Sequence, residues 1–251
     1  MEWLVINLKD KLFIMFMQTL KELEKELEKN ADKEKAKVLQ RFFKTGKGDY
    51  GEGDIFIGLT APQIKEIAKR YKELSLNDLQ TLLSSKVHEK RTVAISILVS
   101  KYGKSKEEAK KEIYDFYLKN TKNINNWDLV DISAPNIVGD YLFDKDRKRL
   151  YELAKSDNLW ERRIAIVSTL YFIRKEQLED TFKIAELLMK DKHDLIHKAT
   201  GWMLREAGKR DLKIEEEFVK KHCKIMPRTM LRYSIEKFPE ELRQKYLKGE
   251  C

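Results

Sequence analysis

Glu161-Arg162-Arg163-Ile164-Ala165-Ile166-Val167 echoes Glu89-Lys90-Arg91-Thr92-Val93-Ala94-Ile95. In both, one acid and two cations lead into a mostly apolar run. Asn125-Asn126-Trp127-Asp128-Leu129-Val130 lies between them, and Ile196-His197-Lys198-Ala199-Thr200-Gly201-Trp202 follows. In that alignment Arg91, Trp127, Arg163 and Lys198 are spaced by 36, 36 and 35 residues. A period in the thirties carried by helical sequence marks arrays of helix pairs, because one pair cannot bury its apolar face alone and must stack on the next. The reading is an all-α helical-repeat solenoid with a concave basic groove. The four positions are expected on equivalent turns of successive inner helices, as an Arg-Trp-Arg-Lys row along that groove.

The flanking sequence agrees. Leu20, Leu23 and Leu27, then Val38, Leu39, Phe42 and Phe43, recur at helical spacing. Helix-start signatures appear at Thr60-Ala61-Pro62-Gln63, Ser75-x-x-Asp78, Ser105-x-x-Glu108 and Asn158-x-x-Glu161. In each, a short polar side chain satisfies free amides and the residue three on reaches back. With 10 glycines and 4 prolines in 251 residues, the chain lacks the turn punctuation of a sheet-rich fold. Half of those glycines sit between Gly46 and Gly58, and Gly46-Lys47-Gly48-Asp49-Tyr50-Gly51 spells G-x-G-x-x-G. A dinucleotide site needs a preceding strand, whereas a charged helix precedes this string and Asp49, Glu52 and Asp54 would repel a pyrophosphate. A structured loop is the better reading.

A hydrophobic fraction of 42% is enough for a sizeable core, and 51 basic against 42 acidic residues leave a net charge of +9. Residues 18–251 read as one domain behind a helical extension, 1–17, of no assigned role. Lys9, Asp10 and Lys11 interrupt the apolar residues of that extension, so neither a membrane span nor a signal peptide is expected. Cys223 and Cys251 cannot build a disulfide framework or a thiolate zinc site. Cys223, near Lys220, Lys221 and Lys224, has no triad partner and reads as a buried or bystander thiol. The default is a cytoplasmic monomer. His193-Asp194-Leu195-Ile196-His197 sets two imidazoles on one helix face, but without a base glutamate or a third ligand no metal is expected.

The segment Asn125–Asp131 is the most informative for chemistry. Asn126 can cap a helix whose first turn carries Trp127 and Asp128. Trp127 and Asp131, four apart, then share a face, while Leu129 and Val130 supply the core contact. Trp160, Arg162, Arg163 and Trp202 follow on later helices, and Gly201 suggests a place where another element approaches closely. A net positive groove suits a polyanion.

From about Phe42 to Gly249 the chain resembles the AlkD-like DNA alkylation repair proteins, DNA glycosylases built of HEAT-like repeats. The likeness runs through FFKTGKGDYGEGD, HEKR, NNWDLVD, LWERRIAIVSTLYFIRK, HDLIHKATGWMLREAGKRD and MPRTMLRYSIEKFPEE. The resemblance implies removal of N3- or N7-alkylated purines from duplex DNA, with no cofactor. Trp127 and Asp131 stand where the family has a Trp-x-x-x-Asp pair, Arg163 matches an arginine on the next repeat, and Trp202 matches a second tryptophan. Asp131 would then oppose charge on the sugar and orient water, Trp127 and Trp202 would flank the deoxyribose, and Arg163 would grip a phosphate. Arg162 leaves open which arginine is functional, and Arg91 and Lys198 are further candidate DNA contacts. The chemistry is self-consistent: a cationic alkylpurine departs neutral, so no general acid is needed, while indole faces and a carboxylate favour the cationic sugar left behind. Two rivals remain, a non-catalytic nucleic-acid-binding protein and a protein-interaction scaffold.

Overall fold

The structure is a computed structural model that describes residues 19–250; the expected extension 1–17 lies outside the described residues. The chain separates into two compact units that part between Lys101 and Tyr102, where the sequence suggests one domain. Helices dominate both, and among the described residues an isolated bridge between Ile55 and Val87 takes the place of any strand. No described helix is long and apolar enough to cross a membrane.

The first unit contains α1 (Leu20–Lys29), α2 (Lys33–Phe42), α3 (Ala61–Arg70), α4 (Leu76–Leu83) and most of α5 (His88–Lys104). The capping boxes at Thr60 and Ser75 form as expected, and Thr19 with Glu22 adds another. Leu23, Leu27, Leu79, Leu82, Val93 and Ile97 are fully buried. The Gly-rich loop is tied down by acids from the neighbouring sequence. The Glu89 carboxylate accepts the backbone N–H groups of Ile57 (3.0 Å), Gly58 (2.8 Å) and Leu59 (3.3 Å).

Arg91 is not a groove-lining cation. It is 3% exposed, donates from Nη2 to Asp54 (2.6 Å) and from Nη1 to the Ser85 carbonyl (2.9 Å), and Asp54 also lies 3.1 Å from His88 Nδ1. Burial pushes the Asp54 carboxyl up, but His88 and Arg91 outweigh it and hold the group below its usual range. A carboxylate carried inward by the loop needs a cation, and Arg91 is spent on that internal pair.

The second unit is a run of helix pairs. α6 (Glu107–Lys119) precedes α7 (Trp127–Ala134), which continues through a π-helical turn, Pro135–Gly139, and Asp140–Leu142. Then follow α8 (Lys148–Leu153), α9 (Leu159–Arg174), α10 (Glu179–Leu188), α11 (Asp194–Gly208), α12 (Leu212–His222), α13 (Arg228–Ser234) and α14 (Glu240–Leu247). α7, α9, α11 and α13 pack one on the next in chain order, with α8 and α10 against α9, and α10 and α12 against α11. This is the expected helical-repeat arrangement. α9, hemmed in by α7, α8, α10 and α11, buries every residue from Arg163 to Leu170. That is why its sequence loses the one-sided apolar pattern of a surface helix. Near the C-terminus Leu204, Phe218, Val219, Met230, Leu231 and Phe238 gather into one cluster. Cys223 is buried there, the first of the two alternatives expected for it.

Two local expectations differ in detail. α6 begins at Glu107 behind Lys106, one residue later than the Ser105 signature indicates, and the Ser105 N–H closes the end of α5 on the Tyr102 carbonyl. Asn158 caps α9 through the Trp160 N–H, but Glu161 reaches back only by way of Ser156, whose hydroxyl donates to it and accepts the Asn158 N–H. The even spacing of the repeat also hides a shift in helical position. Arg91 is the fourth residue of α5, Trp127 the first of α7, Arg163 the fifth of α9 and Lys198 the fifth of α11. Arg91 and Arg162 each donate Nη1 to a carbonyl six residues earlier, so Arg162, not Arg163, is the counterpart of Arg91. One residue more or less in a connecting loop turns a helical side chain by about 100°.

Gly201 does mark a close approach. A Cβ there would lie 2.5 Å from the Met230 carbonyl and 2.6 Å from Tyr233 Cβ, and one at Gly139 would lie 2.4 Å from the Ser168 carbonyl. Alanine gains about 1 kcal/mol over glycine in helix propensity. Overpacking a rigid backbone contact costs typically about 1–3 kcal/mol and opposes that gain. Both Gly139→Ala and Gly201→Ala are expected to lower the urea midpoint; a raised midpoint in either would show that the helices can part without cost.

Candidate functional site

Asn126 adopts extended backbone (φ −150°, ψ 156°), and its side-chain oxygen accepts the Trp127 N–H at 2.8 Å, so α7 starts where the sequence indicates. Leu129 and Val130 are fully buried and anchor the helix. Trp127 and Asp131 are half-buried, one turn apart on the same helix.

The Asp131 carboxylate is gripped from α9. Arg163 donates Nε to Oδ1 (2.9 Å) and Nη2 to Oδ2 (2.8 Å), a two-point pairing of planar fork and carboxylate. Its Nη1 donates to the main-chain carbonyl of Leu195 in the first turn of α11 (2.7 Å). One guanidinium thus joins three successive helices of the row. The Arg163 side chain is 6% exposed and that of Asp131 19%. Burial pushes the Asp131 carboxyl upward; the charge and hydrogen bonds of Arg163 pull it down, Asp128 adds a small push up, and the balance stays above the ordinary carboxylate value. The corrected picture of Arg163 is therefore a buried partner of Asp131, not a surface cation presented to phosphate.

The neighbouring arginine has a different task. Arg162 donates Nε to Asp191 (2.6 Å) and Nη1 to the carbonyls of Ser156 and Asp157 (both 2.9 Å), which fastens the turn before α9 to the turn before α11. Of the two, only Arg163 meets Asp131. Lys198 pairs with Asp194 one turn back on α11 (2.7 Å), and its side chain is 40% exposed. Trp202 is half-buried on α11, and its indole N–H donates to Glu206 at 3.2 Å. It stands seven residues past Leu195, about 10 Å along the helix. Trp160 belongs to the core.

The histidines hold backbone. His193 is the N-cap of α11, its Nδ1 accepting the Leu195 N–H at 3.1 Å, and His197 Nε2 lies 2.5 Å from the Asp191 carbonyl. Among the described residues no cluster of His, Cys, Asp and Glu could hold a metal ion. Two participants escaped the sequence reading: the Leu195 carbonyl, because a main-chain oxygen has no sequence signature, and Asp191, which reads there only as an acid ahead of a helix start.

A family model described as DNA alkylation repair enzyme matches residues 23–238, which spans the whole site. The chain belongs to the DNA alkylation repair enzyme family. Among solved structures, a predicted DNA alkylation repair enzyme from Enterococcus faecalis is similar, with a TM-score of 0.65 at 18% identity, covering 84% of this chain and 98% of that one. At that identity the likeness speaks for a shared fold. No curated protein matches the chain. As a member of this repair family the protein couples a half-buried indole and a partly accessible carboxylate on α7 to a buried arginine on α9.

Removing one member of a buried ion pair typically costs about 3–5 kcal/mol, because the other charge is left in a poor solvent. Arg163→Met is expected to destabilise the protein by an amount of that order, and adding Asp131→Asn should return part of the loss. Urea unfolding of the two single variants and the double variant measures the coupling; strict additivity would mean that the pair does not interact.

Proposed function

We propose that this protein is a DNA glycosylase that releases cationic N3- or N7-alkylated purines from duplex DNA. The observation that carries the reading is the Asp131 carboxylate, held at two points by Arg163 and one turn from the half-buried Trp127. In an alkylpurine the ring already bears positive charge, so the glycosidic electrons move onto the base and it leaves neutral. Positive charge develops on the deoxyribose, and a fixed carboxylate stabilises that charge without reorganising. Water then adds at the anomeric carbon, and its proton passes to Asp131 or to solvent. The products are the free alkylpurine and an abasic site.

Each side chain has a part that follows from its surroundings. Arg163 keeps the carboxylate aimed and opposes the protonation that burial favours. The Trp127 face adds roughly 0.5–2 kcal/mol of attraction for a cation, depending on how far water is excluded. Trp202 is the second indole of this reading, and Lys198, whose side chain is 40% exposed although paired with Asp194, is the most accessible of the expected phosphate contacts. Arg91 has no part in it, being buried against Asp54. The groove, the monomeric state and a nucleoid location belong to the same proposal and rest on the net charge of +9 and the family relationship.

Wild-type protein is expected to release 7-methylguanine from alkylated duplex DNA, and Asp131→Asn to lose excision by about 100-fold or more, the scale of deleting one electrostatic contact to a transition state. DNA affinity should change little in that variant and should fall steeply with salt in both. Unaltered excision by Asp131→Asn would remove the carboxylate from the mechanism; salt-dependent binding with no excision by wild type would favour a non-catalytic DNA-binding protein; binding insensitive to salt would favour a protein scaffold.

The pH dependence has a definite sign. The ionised carboxylate is the working form, and burial raises its pKa above that of an ordinary aspartate. Excision is therefore expected to fall on the acid side at a pH above that value as Asp131 takes up a proton. A rate profile measured on neutral-leaving substrates should show this limb in wild type and lose it in Asp131→Asn.

A further inference from the structure

Asp191 occupies the turn between α10 and α11, its side chain only 5% exposed, and it makes four connections at once. Oδ2 accepts Nε of Arg162 (2.6 Å), Oδ1 accepts the His193 N–H (2.8 Å), and the main-chain carbonyl meets His197 Nε2 (2.5 Å). The fourth is indirect: the His193 so held caps α11 by accepting the N–H of Leu195, the residue whose carbonyl binds Arg163. A chain of bonded groups therefore runs Asp191, His193, Leu195, Arg163, Asp131. Asp191 thus ties α9, through Arg162, to the first turn of α11, where Arg163 of the same helix finds its third acceptor.

We propose that Asp191 is a positioning residue for the Asp131–Arg163 pair: it anchors the first turn of α11 so that the Leu195 carbonyl stands where it takes the third guanidinium donor of Arg163. Arg162 is its partner in that task, which accounts for the tandem arginines of α9. One arginine sets the height of α11 against α9, and the other uses the acceptor so placed. With Nη1 satisfied by Leu195, the guanidinium edge bearing Nε and Nη2 faces Asp131. If α11 slips, a buried N–H loses its acceptor, at a cost of the kind that drives a side chain toward water. Arg163 then swings out and Asp131 loses its cation. The other titratable groups near Asp131 are Asp128 on its own helix and Tyr117 on α6, whose hydroxyl pairs with Ser133; neither touches Asp191, so both stay constant in the comparison.

The inference rests on the proposed role of Asp131 for its catalytic consequence but not for its physical one, and the test separates the two. The carboxyl carbon of Asp131, assigned by its absence in Asp131→Asn, is titrated by NMR in wild type, Asp191→Asn, Asp191→Glu and Arg162→Lys. Excision is measured alongside, as kcat and KM. The Asp131 midpoint is expected to move to higher pH in Asp191→Asn and Arg162→Lys and to return toward wild type in Asp191→Glu. kcat should fall by roughly tenfold to a hundredfold, the scale of a small misplacement at a reacting centre, with KM for DNA nearly unchanged. Glu186→Gln, which removes an ion-pairing carboxylate from α10 facing α12, serves as the control for general loosening and should leave the midpoint where it is. Arg162→Lys keeps the test alive if Asp191→Asn does not fold. An Asp131 midpoint that stays fixed or moves down in the folded variants overturns the positioning role, whatever the activity. A midpoint that moves up while wild type excises nothing upholds the positioning role and instead defeats the glycosylase reading.

Discussion

A carboxylate cannot stand half-buried between helices without a cation, and a guanidinium cannot be buried without acceptors for its N–H groups. Asp131 and Arg163 answer each other's requirement at two points, and the Leu195 carbonyl takes a third donor. Because the three groups come from α7, α9 and α11, meeting these demands fixes three successive helices in register with one another. The remainder of the second unit is consistent with this: glycines at 139 and 201 let the backbones approach, and α9 is buried all round from Arg163 to Leu170 between its neighbours.

The same pair sets the chemistry. Burial pushes Asp131 toward protonation, which in the proposed reaction would weaken it against positive charge; Arg163 pulls the other way without covering it, since the Asp131 side chain is 19% exposed and that of Arg163 6%. That asymmetry suits a group that must face a substrate while its partner does not. It also changes the reading of the family likeness. The arginine matched to a phosphate contact is engaged with the Asp131 carboxylate, and the more accessible cation is Lys198, itself paired with Asp194.

The first unit shows the opposite use of similar residues. Asp54, His88 and Arg91 form a buried set in which the acid is held low by its partners and the arginine is 3% exposed. Two arginines that the sequence spacing aligns can therefore serve as a clamp for a loop and as the counterion of a partly exposed carboxylate. What differs is the depth and origin of the acid each one meets.

Helix content, most helix starts and the pairing of Trp127 with Asp131 on one face were legible in the sequence, because they depend on neighbours within one turn. Thr60, Ser75 and Asn126 act on amides one to three residues away, and Trp127 and Asp131 are four apart on any helix that contains both. The resemblance also pointed to Arg163, but not to the company it keeps. That Arg163 meets Asp131 across 32 residues, that Arg162 is turned instead toward Asp191, and that Arg91 is buried against Asp54 were decided by the tertiary structure alone. The physical reason is that a single residue in a loop rotates a whole helix face, and a main-chain carbonyl such as that of Leu195 is chemically the same at every position until folding places it.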